Sequence, residues 1–273
     1  MNSIDPTARL EDGAVLGDDV TVGPYCIVGK DVRLGAGCRL VSHVNVAGHT
    51  TIGSGTVIYP FASVGTPPQS LSYRGEPTRL EVGENCTIRE SVTINTGTVA
   101  GGGLTRIGDR CFLMAYSHVG HDCLVGNDVV FANSATLGGH CEVGDFVWIG
   151  GLTAVHQHTR IGAQAMLAGA SGIRGDVIPY GFATGQHAAL EGLNVVGMRR
   201  RKFTRERLHA VRQFYQNLFF GPGAFAQRVV EAQARPAADP AIAEIIAFIV
   251  SSDKRPLCRP RGRDQADAAA QDE

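Results

Sequence analysis

Histidines recur at a spacing of 18 residues in the middle of this chain. Residues 120–122, 138–140 and 156–158 read Gly-His-Asp, Gly-Gly-His and His-Gln-His, and His118 comes just before the first of these tripeptides. A neutral imidazole removes a proton from a hydroxyl or an amine near neutral pH, and an adjacent carboxylate such as that of Asp122 orients the ring. If the chain returns to the same place every 18 residues, these residues form one acid–base site.

A hydrophobic residue at every sixth position indicates such a return. The series runs from Ile4 to Val64, from Val82 to Ile94 and from Ile107 to Ile173. Neither the period of a helix nor that of a strand maintains this spacing. A repeat of this length is typical of an all-β solenoid, in which each coil buries its apolar face only against its neighbours. Three hexads close one coil, so residues 18 apart stack at about 4.8 Å, the spacing of adjacent strands.

Stacking places His121, Gly139 and Gln157 in one column on an edge of the solenoid. The histidine strip comprises the residues of this edge together with His118, which comes just before it: His118, His121, Asp122, Gly139, His140, His156, Gln157 and His158. Here His121 is the candidate general base, and the backbone N–H of Gly139 is the candidate oxyanion donor. No serine or cysteine nucleophile is needed, so the strip predicts direct acyl transfer between two bound substrates.

Two other interpretations of the histidine strip compete with acid–base catalysis. Surface histidines are common, and polar residues on a solvated edge would show the same spacing. Histidines also bind zinc. However, His121 and His156 are two coils apart, about 10 Å by strand spacing, whereas the ligands of one zinc ion lie about 2 Å from it. We therefore expect no metal within one chain.

Cysteines follow the repeat. The six that occupy the fifth position of a hexad are Cys26, Cys38, Cys86, Cys111, Cys123 and Cys141. Elsewhere this position holds other small residues, and a free cysteine behaves as a small hydrophobe when it is buried. The cysteines are therefore predicted to fill the core rather than to form disulfides or a zinc site.

Two interruptions and a change of pattern divide the chain. The β-helix is expected over residues 1–186, with loops at 66–79 and 97–106 that leave the coil. Residues 187–255 are expected to form a helical domain, because Thr204 and Asp239 are good helix N-caps and apolar residues recur at helical spacing after each. Residues 256–273 are polar and are expected to form a disordered tail.

Composition and charge exclude several classes of protein. The 25 basic and 26 acidic residues nearly cancel, which disfavours nucleic acid binding. The N-terminus has no basic segment followed by an apolar stretch. The longest late apolar run, residues 241–250, is too short to cross a bilayer. We expect a cytoplasmic protein without a membrane span.

The chain resembles the UDP-N-acetylglucosamine acyltransferase family, whose reaction is the first step of lipid A biosynthesis. The similarity covers nearly the whole chain, including the C-terminal helices. The matching stretches are SHVNVAGHT (42–50), GEPTR (75–79), IRESVTIN (88–95), GTVAGGGLT (97–105), SHVGHDCLVGN (117–127), ATLGGH (135–140), IGGLTAVHQ (149–157) and GASG (169–172). The resemblance implies a left-handed parallel β-helix and a homotrimer with active sites between subunits.

The resemblance also implies roles for individual residues. His121 would be the general base, Asp122 its partner and Gly139 the oxyanion donor. Four residues would line the cleft and hold the sugar nucleotide or the acyl phosphopantetheine arm: His118, His140, His156 and Gln157. Three match positions that contact the donor or the nucleotide phosphates: Asn194, Arg200 and Arg201. Gly169 matches the position that measures acyl length. The donor is carried by acyl carrier protein, and no separate cofactor is implied.

A basic segment follows these positions. Residues 199–202 read Arg-Arg-Arg-Lys, and Arg205 and Arg207 come soon after. They form either a solvated helix face or a docking site for an acidic acyl carrier protein and its phosphate arm, since arginine makes bidentate contacts to phosphate.

The chain departs from the family pattern at positions expected to face the acceptor. Ser70 and Ser72, near Arg74, replace an aspartate and a lysine. Asn95-Thr96 replaces His-Arg, and Val196 replaces a glutamate. The reaction predicted first is transfer of a 3-hydroxyacyl group to the 3-hydroxyl of UDP-N-acetylglucosamine. The alternatives are a divergent paralogue that acylates another nucleotide-linked hydroxyl or amine, and a non-catalytic scaffold that binds nucleotide or carrier protein.

Overall fold

A three-sided β-helix forms most of the molecule. The computed structural model describes residues 1–251 and 255–261 and confirms a left-handed parallel β-helix followed by α-helices. Each coil contributes one short strand to each of three faces, and each strand pairs in parallel with the strands of the coils before and after it. Thr136 on one coil pairs with His118 on the previous coil and Ala154 on the next. The stacking at 18 residues is therefore confirmed.

Strands alternate among the three faces in chain order. Along the helix axis, the first face contains β1 (Ser3–Ile4), β4 (Thr21–Val22), β7 (Arg39–Leu40), β10 (Val57–Ile58), β13 (Thr87–Ile88), β16 (Phe112–Leu113), β19 (Val130–Phe131), β22 (Trp148–Ile149), β25 (Met166–Leu167), β27 (Gly181–Thr184) and β28 (Ala189–Leu193). The second contains β2 (Arg9–Leu10), β5 (Ile27–Val28), β8 (Asn45–Val46), β11 (Ser63–Thr66), β14 (Thr93–Asn95), β17 (His118–Val119), β20 (Thr136–Leu137), β23 (Ala154–Val155) and β26 (Gly172–Ile173). The third contains β3 (Val15–Leu16), β6 (Arg33–Leu34), β9 (His49–Ile52), β12 (Arg79–Val82), β15 (Leu104–Ile107), β18 (Leu124–Val125), β21 (Glu142–Val143) and β24 (Arg160–Ile161).

The repeated hydrophobic residues form one continuous core. From Val22 to Ile173 every member of the series is buried, and Phe131 is the largest fully buried side chain. The predicted burial of the six repeat cysteines is confirmed, and Cys258 is buried as well; all seven are free thiols. At the N-terminal end of the coil, Ile4 is 46% exposed because no earlier coil covers it.

Glycine at the second position of a hexad allows neighbouring coils to approach. A Cβ built on Gly23 would lie 1.8 Å from the carbonyl oxygen of Val41 in the next coil. The left-handed backbone conformation falls two positions later and is carried mostly by other residues, such as Tyr25 with a φ of 57° and Asp122 with a φ of 59°. Glycine is therefore needed at the second position because the coils pack closely there, and not because the backbone has a positive φ.

Both interruptions leave the coil at the same corner. The first joins β11 to β12 and the second joins β14 to β15, so each connects the second face to the third. The second loop contains a short 3-10 turn at Val99–Gly101. The tripeptide at residues 120–122 joins β17 to β18 at this corner too, so the loops and the histidine strip share one edge.

The C-terminal region contains four helices, α1 (Val195–Arg200), α2 (Arg205–Phe220), α3 (Phe225–Gln233) and α4 (Pro240–Val250). Thr204 and Asp239 cap α2 and α4 through their side chains, as predicted. None of the described helices combines the length and apolar character that a membrane span needs.

Two boundaries predicted from the sequence were wrong. Residues 189–193 do not begin a helical domain, because they form β28 and pair antiparallel with β27. The predicted tail also starts too early. Leu257 bridges to Asp176, Cys258 is buried, and the backbone N–H of Leu190 donates to the carbonyl of Arg259. Long-range pairing thus orders residues 255–261, and the remainder of the expected tail lies outside the described residues.

Candidate active site

The histidine strip centres on a buried pair formed by His121 and Asp122. Nδ1 of His121 lies 2.7 Å from Oδ2 of Asp122. The Asp122 side chain is only 1% exposed, and that of His121 is 17% exposed. A carboxylate in this position orients an imidazole and stabilises its protonated form. The structure therefore contains the contact between His121 and Asp122 that the sequence predicted.

Asp122 has further partners that the sequence analysis did not single out. Its carboxylate accepts hydrogen bonds from the backbone N–H of Thr98 at 2.7 Å and from the Thr98 hydroxyl at 2.6 Å. Its own backbone N–H donates to the hydroxyl oxygen of Thr105 at 2.8 Å. Both threonines belong to the region of the second interruption, and no six-residue pattern predicts a contact from a loop that leaves the coil.

Gly139 packs directly against the imidazole of His121. A Cβ at this position would lie 2.6 Å from Cε1 and 2.8 Å from Nε2 of His121. Among residues 1–251 and 255–261, no acceptor is recorded for the backbone N–H of Gly139, although its carbonyl accepts from His158 at 3.0 Å. The predicted column is present, and glycine is the residue that lets backbone approach the ring.

His140 extends the strip by one coil. Its ring meets that of His121 edge-on at 4.9 Å and stacks on that of His158 at 4.4 Å. Its Nδ1 is 3.7 Å from Oδ2 of Asp122. Potential metal-ligating atoms of His121, Asp122 and His140 lie within 4.8 Å of one another. These three residues lie closer together than the separation of about 10 Å that strand spacing gave for His121 and His156. Both oxygens of Asp122, however, already accept hydrogen bonds within the protein.

His118 lies on the second face, in strand β17, which leads into the corner at residues 120–122. Its Nδ1 is 2.7 Å from the hydroxyl of Thr93, its neighbour in the previous coil. Burial, and to a smaller extent the charge of nearby His121, lowers the pKa of His118 below its ordinary value. A neutral ring at this position suits hydrogen bonding to a substrate more than charge pairing.

His156 and Gln157 form the last coil of the strip and are exposed. Arg255, from the segment that returns to the β-helix, donates to the Gln157 carbonyl at 3.0 Å and to Nδ1 of His156 at 2.6 Å. Arg255 was expected to be the last residue of the helical domain. Its contact with the strip depends on the path of the chain after α4.

Gly169 lies on a different corner, as predicted. It is exposed in the corner between the first and second faces, in the same stack as Gly151. This corner also carries large exposed side chains, namely Tyr25, Phe61, Tyr116 and Leu152, with exposures of 59%, 64%, 67% and 71%. Among the described residues, the chain does not bring Gly169 into contact with His121.

Ser70, Ser72 and Arg74 form hydrogen bonds within the first loop. The hydroxyls of Ser70 and Ser72 are 2.9 Å apart, and the Arg74 guanidinium donates to the Leu71 carbonyl at 2.8 Å. These hydrogen bonds stay within the loop, and no contact with the histidine strip is recorded among the described residues. Within one chain, the structure does not assemble these three residues with the predicted base.

Asn95 and Thr96 are buried at the base of the same loop. The Asn95 amide donates to the Thr66 hydroxyl at 3.3 Å and to the Pro67 carbonyl at 3.1 Å. The Thr96 hydroxyl accepts from Thr78 at 3.0 Å. The residues that replace the family's His-Arg pair therefore fasten both ends of the loop.

Residues at the start of the helical region are partly committed to structure. Asn194 caps α1, because its side-chain oxygen accepts from Gly197, and its amide donates to Gln164. The Arg201 guanidinium packs on the Phe146 ring at 4.5 Å. Arg200 is exposed, and Val196 is 60% exposed. Arg200 thus remains the most accessible of the three predicted phosphate contacts.

The arrangement is suited to proton removal followed by acyl transfer. The buried carboxylate, the oriented imidazole and an adjacent backbone N–H are brought together by two successive turns of one corner. Sequence reasoning missed Thr98, Thr93 and Arg255. The one signal for Thr98 in the sequence is its place in the insertion at 97–106.

Comparison with known proteins finds relatives over nearly the whole chain. Residues 176–258 match the family described as UDP N-acetylglucosamine O-acyltransferase, domain 2, and residues 13–48 and 104–139 match the bacterial transferase hexapeptide repeat. A protein of Azorhizobium caulinodans named acyl-[acyl-carrier-protein]–UDP-N-acetylglucosamine O-acyltransferase is 60% identical over 94% of this chain and 95% of its own length. A protein of the same name from Sinorhizobium fredii is 47% identical, with 94% of this chain and 95% of its own length covered.

Solved structures agree with these relatives. The UDP-N-acetylglucosamine acyltransferase of Campylobacter jejuni is 38% identical, with a TM-score of 0.89 over 95% of this chain and 100% of that one. The enzyme of Francisella novicida is 29% identical, with a TM-score of 0.92 over 96% of each chain.

Proposed function

We propose that this chain, which belongs to the family of acyl-[acyl-carrier-protein]–UDP-N-acetylglucosamine O-acyltransferases, catalyses the family's reaction with His121 as general base. The substrates are a 3-hydroxyacyl group on the phosphopantetheine of acyl carrier protein and the 3-hydroxyl of UDP-N-acetylglucosamine. The reaction is the first step of lipid A biosynthesis. The observation that carries the assignment of the base is the 2.7 Å contact between His121 and the buried Asp122.

The proposed chemistry is a direct displacement at the thioester. Nε2 of His121 removes the proton of the sugar hydroxyl while its oxygen attacks the carbonyl carbon. The oxyanion that forms accepts from the Gly139 N–H, and Asp122 stabilises the protonated His121. When the intermediate collapses, the C–S bond breaks, the ester remains on the sugar, and His121 returns the proton to the departing thiolate.

The remaining strip residues are proposed to position the substrates. His118, His140, His156 and Gln157 line the approach to His121 on successive coils. Gly169 leaves room for a long acyl chain, since it is exposed and carries no side chain. We assign Asn194, Arg200 and Arg201 to the phosphates of the donor or nucleotide. Ser70, Ser72 and Arg74 are assigned to the acceptor.

A homotrimer with active sites between subunits is part of this proposal. Gly169 and His121 lie on different corners, so a substrate that meets both residues bridges two edges. The corner of Gly169 carries the exposed Tyr116 and Leu152, and exposed apolar surface of this kind is typical of protein interfaces. We infer that this corner packs against a neighbouring subunit.

Docking of acyl carrier protein is assigned to the basic segment around α1 and α2. Arg207 is already paired with Asp239 at 2.7 Å, and Arg201 packs on Phe146. Arg199, Arg200 and Arg205 are exposed and are proposed to meet the acidic carrier and its phosphate arm.

No metal or other cofactor is assigned to the reaction, and the cytoplasm is the proposed compartment. The oxygens of Asp122 are engaged by Thr98 and His121, so the base has an orienting partner without a metal. Seven free thiols suit a reducing compartment, where disulfides are rare.

An acyl-transfer assay with a series of 3-hydroxyacyl carrier proteins tests the proposal. H121A is expected to lower kcat about 10² to 10⁴-fold, because a positioned base contributes that much. H49A is a matched control, since His49 is 46% exposed on the third face. Activity of H121A within tenfold of the wild type would remove His121 as the base.

A different nucleotide-linked acceptor is the second candidate. It is favoured by the hydroxyls of Ser70 and Ser72 where the family has an aspartate and a lysine, in a loop that is largely exposed. The same assay therefore includes other nucleotide-linked hydroxyls and amines in competition. Preferred acylation of one of these over UDP-N-acetylglucosamine would replace the acceptor while leaving the base in place.

A further inference from the structure

We propose that Thr98 is a positioning residue of the transfer reaction. It holds the carboxylate of Asp122 in the orientation in which Oδ2 accepts from Nδ1 of His121, and this contact favours the tautomer of His121 with an unprotonated Nε2. This inference rests on the proposed role of His121 as general base. Thr98 is itself buried in the second loop, so it acts through Asp122 rather than on a substrate.

Three donors converge on the buried carboxylate. The Thr98 backbone N–H lies 2.7 Å from Oδ1 of Asp122, and the Thr98 hydroxyl lies 2.6 Å from Oδ2. Nδ1 of His121 lies 2.7 Å from the same Oδ2. Hydrogen bonds to an ionised acceptor are short and about twice as strong as neutral ones. The carboxylate is therefore held in one orientation, with Oδ2 shared between Thr98 and His121.

The direction of the Thr98 hydroxyl is determined by its other neighbour. Its oxygen accepts from the backbone N–H of Gly101 at 3.2 Å, as the N-cap of the turn Val99–Gly101. A hydroxyl has one hydrogen, and an ionised carboxylate has none to donate. The Thr98 hydrogen therefore points to Oδ2 of Asp122, and Nδ1 of His121 must donate to that oxygen as well. Nε2 of neutral His121 is left with its lone pair, as a general base requires.

Glycine lets the loop backbone cover the carboxylate. A Cβ on Gly101 would lie 2.1 Å from Cγ of Asp122 and 2.4 Å from each of its oxygens. A Cβ on Gly97 would lie 2.9 Å from Oδ1 of Asp122. Because the loop passes this close, the Asp122 side chain is 1% exposed and water competes little for it. The insertion in the repeat thus serves to enclose Asp122.

The test compares T98V, which removes the hydroxyl and keeps the shape of the side chain, with T98S, which retains the hydroxyl. T98V is expected to lower kcat about 10 to 100-fold, the effect of losing one hydrogen bond to a charged group, with little change in KM. T98S is expected to recover most of the activity. T56V is the matched control, because the buried Thr56 hydroxyl donates to Gly83 and accepts from Cys86 at another corner.

Nitrogen NMR of His121 in protein with labelled histidine gives a readout that does not depend on turnover. The wild type and T98S are expected to show protonated Nδ1 and unprotonated Nε2, and T98V a mixture of the two tautomers. Wild-type kcat or wild-type nitrogen shifts in T98V would overturn the inference. If H121A keeps its activity, the general-base proposal fails, while the nitrogen shifts still test the role of Thr98.

A second variant covers the case in which T98V does not fold. G101A places a methyl group against the Asp122 carboxylate and leaves the threonine hydroxyl in place. It is expected to show the same loss of kcat and the same mixture of His121 tautomers. Wild-type values for both in G101A would equally overturn the inference.

Discussion

The residues of the histidine strip differ in environment although they lie at or directly beside one corner. His121 touches a buried carboxylate, His140 stacks on another histidine, and His118 contacts the hydroxyl of Thr93. The same six-residue repeat therefore places these three histidines in different surroundings.

The pH response of His118 follows from its burial. Burial lowers its pKa below 6.5, so below that pH the unfolded chain binds more protons than the folded one. His118 therefore contributes stability above its unfolded pKa, and this contribution is lost as pH falls towards its folded pKa. Proton NMR titration should place its midpoint below 6.5. In H118Q, the loss of stability between pH 6.5 and 5 should be smaller, and a midpoint at or above 6.5 would contradict the assignment.

The coil is the element that places residues 18 apart in the sequence next to each other in space. Its corners stack by hydrogen bonds such as that from the backbone N–H of His140 to the carbonyl of His121 at 2.9 Å. The second residue of each hexad faces the backbone of the next coil, and the distance between the two differs from coil to coil. Glycines at this position are therefore not equivalent, although the repeat presents them identically.

Gly23 and Gly29 represent a tightly packed and a loosely packed position of the repeat. A Cβ at Gly23 would lie 1.8 Å from the Val41 carbonyl oxygen, whereas at Gly29 the nearest atom would be 3.5 Å away. We expect G23A to lower the free energy of unfolding by about 1–3 kcal/mol through overpacking. G29A should leave it unchanged or raise it by up to about 1 kcal/mol, because alanine restricts the unfolded chain. Urea denaturation measures both, and equal effects would argue against the packing explanation.

At the scale of the whole molecule, one corner carries the chemistry and another carries exposed apolar side chains. The corner of Gly169 includes Tyr116 and Leu152, which are 67% and 71% exposed. The active site proposed here needs both corners, which a single chain keeps apart. Association of chains through the apolar corner would bring them together and would also remove this surface from water.

The variant L152E tests that association. A charge at the centre of an apolar interface is costly to bury, so L152E is expected to dissociate the proposed trimer and to lower activity with it. V230E is the control, because Val230 is 62% exposed on α3 and away from this corner. Sedimentation velocity measures the assembly, and circular dichroism verifies the fold. A trimeric, active L152E would exclude this corner as the interface.

The sequence by itself determined the coil, its core and the columns of side chains. All three depend on contacts between residues 18 positions apart. The six-residue period specifies this spacing and repeats it along the whole β-helix. The phase of the repeat was enough to bring His121 against Gly139 and to separate both from Gly169. The capped helices α2 and α4 were likewise local, since Thr204 and Asp239 act within one turn.

Only the tertiary structure decided the contacts made by segments outside the period. Thr98 reaches Asp122 from an insertion, Arg255 reaches His156 after the chain has left the last helix, and residues 189–193 become a strand because β27 offers them an edge. Each of these contacts joins a non-repeating segment to a distant one at a distance in sequence that no pattern fixes. The repeat could therefore predict where the proposed base His121 lies, but not the contacts that orient its partner Asp122.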